Sequence, residues 1–389
     1  MNRHSIAFFV ALSLLSAHAT RGQTATPQDR RDMSVEAGKA PTGGTTVAVG
    51  SFPRAVAVNP VTNKIYVANY GSKNVTVIDG ATLTTTTVAA GTVPYAAAVN
   101  SSANKIYVAN YGSNNVTVID GATGITSTVP AGTSPTAVDL NPVTNKAYVA
   151  NYNSNNVTVI DGANLSTTTV AVGTHPYAVA VNSATNKIYV ANMGSRDVTL
   201  IDGATNATTS IAAGTGPSAV AVNPLTNKIY LVNNVSNNVT VIDGATNRGT
   251  AVAVGGGPDA VAINPETNKI YVANYESNNL TVIDGATNSA TTVTTGTGPY
   301  AVAVNPGANR IYVANYQSSD VWVIDGATNT TIMVAAATPM QHYVTSAPCA
   351  VGVNPVTNRI YVANEYGSNV TVIDGTPHSI TAAPPGSHP

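Results

Sequence analysis

Asp259, Glu276, Glu365 and Asn234 are the set of acidic and Asn side chains that a metal-dependent hydrolase could use here to hold a divalent ion. Carboxylates and an amide carbonyl are hard oxygen donors, and a metal held by them could activate water for hydrolysis. They come from three or four different copies of a repeat, which argues against convergence on one point. Cys349 is the only cysteine, so no intramolecular disulfide can form. As a nucleophile it would need a partnering His-Asp pattern, and none is found; a small buried apolar residue is the expected role. No His-x-x-x-His, Cys-x-x-Cys or Gly-x-Ser-x-Gly pattern occurs. The glycine run at 255–258, "GGGP", lacks the lysine and helix of a phosphate loop. Asn-x-Thr sites such as Asn74-Val75-Thr76 match a glycosylation pattern but arise from the repeat, and read as strand starts.

Two charges recur with the repeat. Asp79, Asp120, Asp161, Asp202, Asp243, Asp284, Asp325 and Asp374 each follow Ile, and all but Asp374 stand in six steps of 41 residues; the last step is 49. Each precedes glycine, where an aspartate accepts hydrogen bonds from backbone N–H groups two or three residues on. One such carboxylate per copy, on an outer hairpin, is structural rather than a metal ring. Lys64 and its counterparts, which become Arg310 and Arg359 in the last two copies, are expected to reach solvent or pair locally with carboxylates. Function is therefore sought where the copies differ.

The elements that position these residues follow from composition. Only 9% of residues are charged and the net charge is -1. That excludes a broad basic surface for nucleic acid. Val, Thr, Ala, Asn and Gly favour strands and turns. Residues 1–19 read as a signal peptide: Arg3 and His4, an apolar run over 6–17, then Ala17-His18-Ala19. The run is too short to span a bilayer. The mature chain is expected to be exported and without a membrane span. Residues 20–43 and 376–389 read as flexible flanks.

Each period divides into four short strands, as in "AVAVN" (55–59), "KIYVANY" (64–70), "VTVID" (75–79) and "TTTVAA" (85–90). A Pro-x-Thr-Asn turn, a Gly-Ser-x-Asn loop, an Asp-Gly hairpin signal and a Gly-x-x-Pro link separate them. In the second strand both faces are apolar, as expected of a sheet pressed between two others. A period near 40 in an all-strand pattern marks propeller blades. The expected fold is all-β: a single β-propeller over 44–375, with eight four-stranded blades. "TTVAVG" (45–50) matches the fourth strand and should complete the last blade, with residues 379–382 as the rival.

The stretch "GPYAVAVNPGANRIYVANYQSSDVWVIDGATNTT" (298–331) and its equivalents resemble the YVTN family of β-propeller repeats, also met in YncE-like and surface-layer-like proteins. Here Tyr-Val-Ala-Asn stands where the family has Tyr-Val-Thr-Asn. The resemblance implies an extracytoplasmic or cell-surface protein and brings no shared catalytic set.

The position after Gly-x-x-Pro should lie at the channel mouth. It holds Arg54, Tyr95, Thr136, Tyr177, Ser218, Asp259, Tyr300 and Cys349. The loop after the second strand, on the same face, begins with Tyr70, Tyr111, Tyr152, Met193, Asn234, Tyr275, Tyr316 and Glu365. An extra eight residues near 338–345 lengthen the loop into the last blade and contain His342 and Tyr343. Such an aromatic rim suits a glycan, a cell-wall component or a partner protein. The expected function is a non-enzymatic binding or surface scaffold, monomeric and without a cofactor. The alternative is a metal-dependent hydrolase like the propeller lactonases, which give similar repeats. Nucleic-acid binding, known for some YncE-like relatives, ranks below both.

Overall fold

A computed structural model describes residues 44–335 and 346–375. The expected signal peptide, both flanks, His342, Tyr343 and the rival closing strand lie outside the described residues. Alternating apolar residues and turn signals fold into four-stranded antiparallel sheets, eight in all. Blade one consists of β2 (Pro53–Asn59), β3 (Lys64–Asn69), β4 (Asn74–Asp79) and β5 (Thr85–Ala89), in that spatial order. β1 (Thr45–Ala48) pairs antiparallel with Asn369–Asp374 and supplies the fourth strand of blade eight. The first strands of neighbouring blades touch around the whole ring, and that of blade eight meets β2. The expected eight-bladed propeller, closed by its N-terminal strand, is what forms.

The repeated motif packs between blades. Tyr66 and its seven equivalents are the largest fully buried side chains, with Ile65 and Val67 buried on the opposite face of the same strand. Burial pushes the Tyr66 phenol up to about 12, with Asp120 of the next blade adding to the effect. The final asparagine of the motif is a strand tie: Asn69 donates to Asn74 Oδ1 at 2.8 Å and to Thr76 Oγ1 at 2.9 Å.

The antiparallel registers place the loops on two faces. The mouth face carries the loops between blades and those between second and third strands. The opposite face carries the Pro-x-Thr-Asn turns and the aspartate loops. Asp79 there accepts from the N–H groups of Ala81 and Thr82, both at 2.9 Å, as expected. These bonds hold its carboxyl below the ordinary value.

The Asp79-Gly80 hairpin joins β4 to β5 as expected; the strands resume at Thr85, and the left-handed residue is Leu83, at φ 60°. Gly80 is required by proximity, since a Cβ there would lie 2.2 Å from Asn63 Oδ1. The basic residues reach further than expected. Lys64 Nζ donates to Gly121 O of blade two at 3.1 Å, and Lys105 to Gly162 O of blade three at 2.6 Å. Lys146, Lys228 and Lys269 repeat this step, and Arg359 closes it on Gly80 O. Lys187 and Arg310 bond the aspartate of their own blade, Asp202 and Asp325.

A second inter-blade system was not foreseen. Asn59 donates to Asn104 Oδ1 at 2.9 Å, and Asn100 to Asn145 Oδ1 at 2.9 Å. The same step recurs between every pair of neighbours and ends with Asn354 on Asn63. The accepting asparagines have positive φ, such as 51° at Asn63, which asparagine tolerates better than other side chains.

Candidate functional site

The mouth face is shaped by a bulge. In every blade the first strand slips register immediately after its proline: Pro53 pairs with Asn69 and Ala55 with Ala68, so that Arg54 stands in the bulge. The same slip occurs at Tyr95, Thr136, Tyr177, Ser218, Asp259, Tyr300 and Cys349. A bulge re-aims the extra side chain and kinks the strand.

Arg54 holds the centre. Its guanidinium lies 5.7 Å from the Tyr95 ring centroid and 5.8 Å from that of Tyr300. Nη2 donates to the Tyr300 hydroxyl at 3.0 Å, and Nη1 to Glu365 Oε2 at 3.2 Å. The Tyr95 and Tyr177 hydroxyls approach to 3.4 Å. Burial raises the pKa of all three phenols, so they remain neutral hydrogen-bonding groups.

Above this floor lies a cleft of about 560 Å3. Of the residues expected at the rim, Arg54, Tyr70, Tyr95, Tyr111, Tyr152, Tyr177 and Glu365 line it, together with Phe52, Thr136, Met193 and Tyr366. It spans blades eight and one to four. Tyr95 and Tyr111 pack with centroids 5.5 Å apart, and Tyr152 stacks on His175 at 4.6 Å. Tyr366 was overlooked because it follows the aligned loop position; it is half exposed and meets Phe52 edge-on at 6.0 Å.

Tyr275, Tyr300 and Tyr316 fall outside the cleft lining. They pack together on blades six and seven, with Tyr300 between the other two rings at 6.2 and 5.4 Å. Asp259 also stands apart. It is 1% exposed, and its Oδ1 accepts from Asn234 at 2.7 Å. Burial, reinforced by Glu276, pushes its carboxyl up to about 8. The four oxygen donors are thus divided: Asp259 engages Asn234, whereas Glu365 engages Arg54. Among the described residues no three His, Cys, Asp or Glu side chains gather to hold a metal. Cys349 is fully buried, as expected, against Pro53 O, and burial pushes its thiol up to about 12.

Asp139 was missed by sequence reasoning. It stands where the other first strands have alanine or glycine, such as Ala98 and Gly352, and that substitution was the available signal. It lines a smaller channel cavity of about 120 Å3 walled by valines and alanines. Its oxygens accept from Leu140 N and, across the blade boundary, Val181 N, both at 2.8 Å. Burial pushes it up to about 7, against the pull of both bonds.

Solved structures share this architecture. A chain of Kuenenia stuttgartiensis hydrazine synthase matches with a TM-score of 0.59 and 22% identity, over 75% of this chain and 98% of its own. Saccharomyces cerevisiae Sqt1 matches with a TM-score of 0.70 and 9% identity, over 86% and 99%. The likeness is one of fold. No protein-family profile and no curated protein matches the sequence. At such identities a propeller says nothing about ligand or activity, which reside in the site.

Proposed function

We propose that this protein is an exported, non-enzymatic β-propeller that binds a glycan, a cell-wall component or a partner protein through its mouth face. One observation carries this reading: Arg54, Tyr95, Thr136, Tyr177, Met193 and Glu365, from positions that change between copies, line one aromatic cleft of about 560 Å3. Small-ligand sites range over about 300–1,000 Å3 and are lined mainly by apolar and aromatic side chains with a few polar groups. The leader pattern over 1–19 supports export, and the Tyr-Val-Ala-Asn strands support a place among YVTN, YncE-like repeat proteins.

The test is a thermal-shift screen of residues 20–389 against oligosaccharides, cell-wall fragments, lactones and divalent ions. A ligand of the native state at a hundredfold excess over its Kd stabilises by about 2.7 kcal/mol. A shift with a glycan or cell-wall fragment that vanishes in Tyr70→Ala supports the reading. A shift confined to lactones or Ca2+ would replace it with the hydrolase.

A further inference from the structure

Resting on the reading of the cleft as a ligand site, we propose that its ligand is a neutral oligosaccharide with a vicinal diol seated over the Arg54–Glu365 pair. Arg54 and Glu365 are the only charged side chains lining the cleft among the described residues, and they meet at 3.2 Å. An anionic ligand bonded to Arg54 would set a new negative charge beside Glu365, 17% exposed, and compete with it for the guanidinium. A cationic ligand would do the reverse to Arg54, 12% exposed. Stranding a partly desolvated charge is unfavourable. A neutral ligand leaves the pair intact and uses both halves at once. One hydroxyl accepts from the guanidinium and its neighbour donates to the carboxylate, a donor and an acceptor set side by side.

The walls fit the same ligand. Phe52, Tyr70 and Tyr366 are 44%, 43% and 50% exposed at the rim. Flat rings left open to water offer apolar faces to the C–H face of a pyranose, while phenol hydroxyls serve its edge. A proline-rich peptide is the competing occupant of aromatic grooves. Its prolines have carbonyls for Arg54 but no N–H for Glu365, so it would satisfy only half of the floor.

The experiment is calorimetric titration of residues 20–389 with cellohexaose, chitohexaose, hexagalacturonate and decaproline. Binding of a neutral hexasaccharide is expected, weakened about tenfold or more by Tyr70→Ala and by Phe52→Ala. Both residues are exposed, and unchanged thermal unfolding of the variants verifies their fold. Glu365→Gln, which keeps an acceptor, should weaken binding less than Glu365→Ala. If hexagalacturonate or decaproline binds instead, in a Tyr70-dependent way, the neutral-sugar assignment fails and the cleft stands as a ligand site. Binding indifferent to Tyr70→Ala and Phe52→Ala would remove the cleft itself. Silence from both neutral hexasaccharides at millimolar concentration also overturns the assignment.

Discussion

Asn354 donates its side-chain amide to Asn63 Oδ1 at 2.8 Å, joining the last blade to the first. The bond is the closing member of the asparagine ring. Asn63 is purely the acceptor in it, at φ 51°. Aspartate at 63 keeps an acceptor and tolerates that backbone; aspartate at 354 loses the donor. Asn63→Asp should therefore cost little, and Asn354→Asp about 1–3 kcal/mol, as for a buried polar group left unpaired. Urea denaturation of the two variants checks the order; equal costs would refute the assigned direction of the bond.

Asp139 and Asp259 give the protein a pH-dependent stability of defined sign. Their carboxyls are raised to about 7 and about 8 in the native state, against about 3.9 unfolded. The native state then binds more protons, so their contribution is complete below about pH 4 and lost as pH rises through about 7 to 8. The loop aspartates, such as Asp79 and Asp120, are lowered instead and withdraw their support as pH falls below about 4. The unfolding midpoint should decline between about pH 5 and 8. Asp139→Asn should flatten that decline; an unchanged slope would count against a raised Asp139.

Two glycines should respond oppositely to substitution. Gly80→Ala drives a Cβ to within 2.2 Å of Asn63 Oδ1, so it strains the inter-blade ring and costs about 1–3 kcal/mol. Gly124 has φ 73° with no neighbour within 4 Å of its absent Cβ, and Asn206 occupies the equivalent position at φ 62°. Gly124→Asn should be neutral or stabilising by up to about 1 kcal/mol, through the lower entropy of the unfolded chain. Thermal unfolding of both variants separates the two causes.

Cys349 should resist alkylation. A thiol reacts as its thiolate, and this one is fully buried with its pKa pushed up to about 12. Iodoacetamide at pH 8 should label it only after denaturant is added. Rapid labelling of the native protein would contradict the burial.

Much of this fold could be read from the chain because its information is local. The 41-residue step, four strand patterns, the closing strand and the hydrogen bonds of Asp79 all lie within one copy or in its alignment with the next. What escaped depends on contacts between strands, within a copy or across to the next. Lys64 looked like a solvated charge because its acceptor, Gly121 O, belongs to another blade. Gly80 looked like a turn residue because Asn63, which fills its side-chain space, lies across the sheet. Arg54 was expected at the mouth, yet the bulge that aims it exists only once Pro53 and Ala55 are paired. Asp139 stands inside an apolar strand, away from the rim, and its second acceptor contact, with Val181 N, is to another blade.

The seam at β1 also sets how the molecule carries load. Thr45 pairs with Val372 and Ala48 with Asn369, so β1 enters blade eight at the face opposite the cleft. Gly375 leaves from that same face, bonded to Asn358 O. Thr45 and Gly375 therefore both lie on the face opposite the cleft. Tension applied between the two ends would act on adjacent, antiparallel strands. It would peel their hydrogen bonds apart one pair after another rather than shear them together, making blade eight the mechanical fuse of the ring.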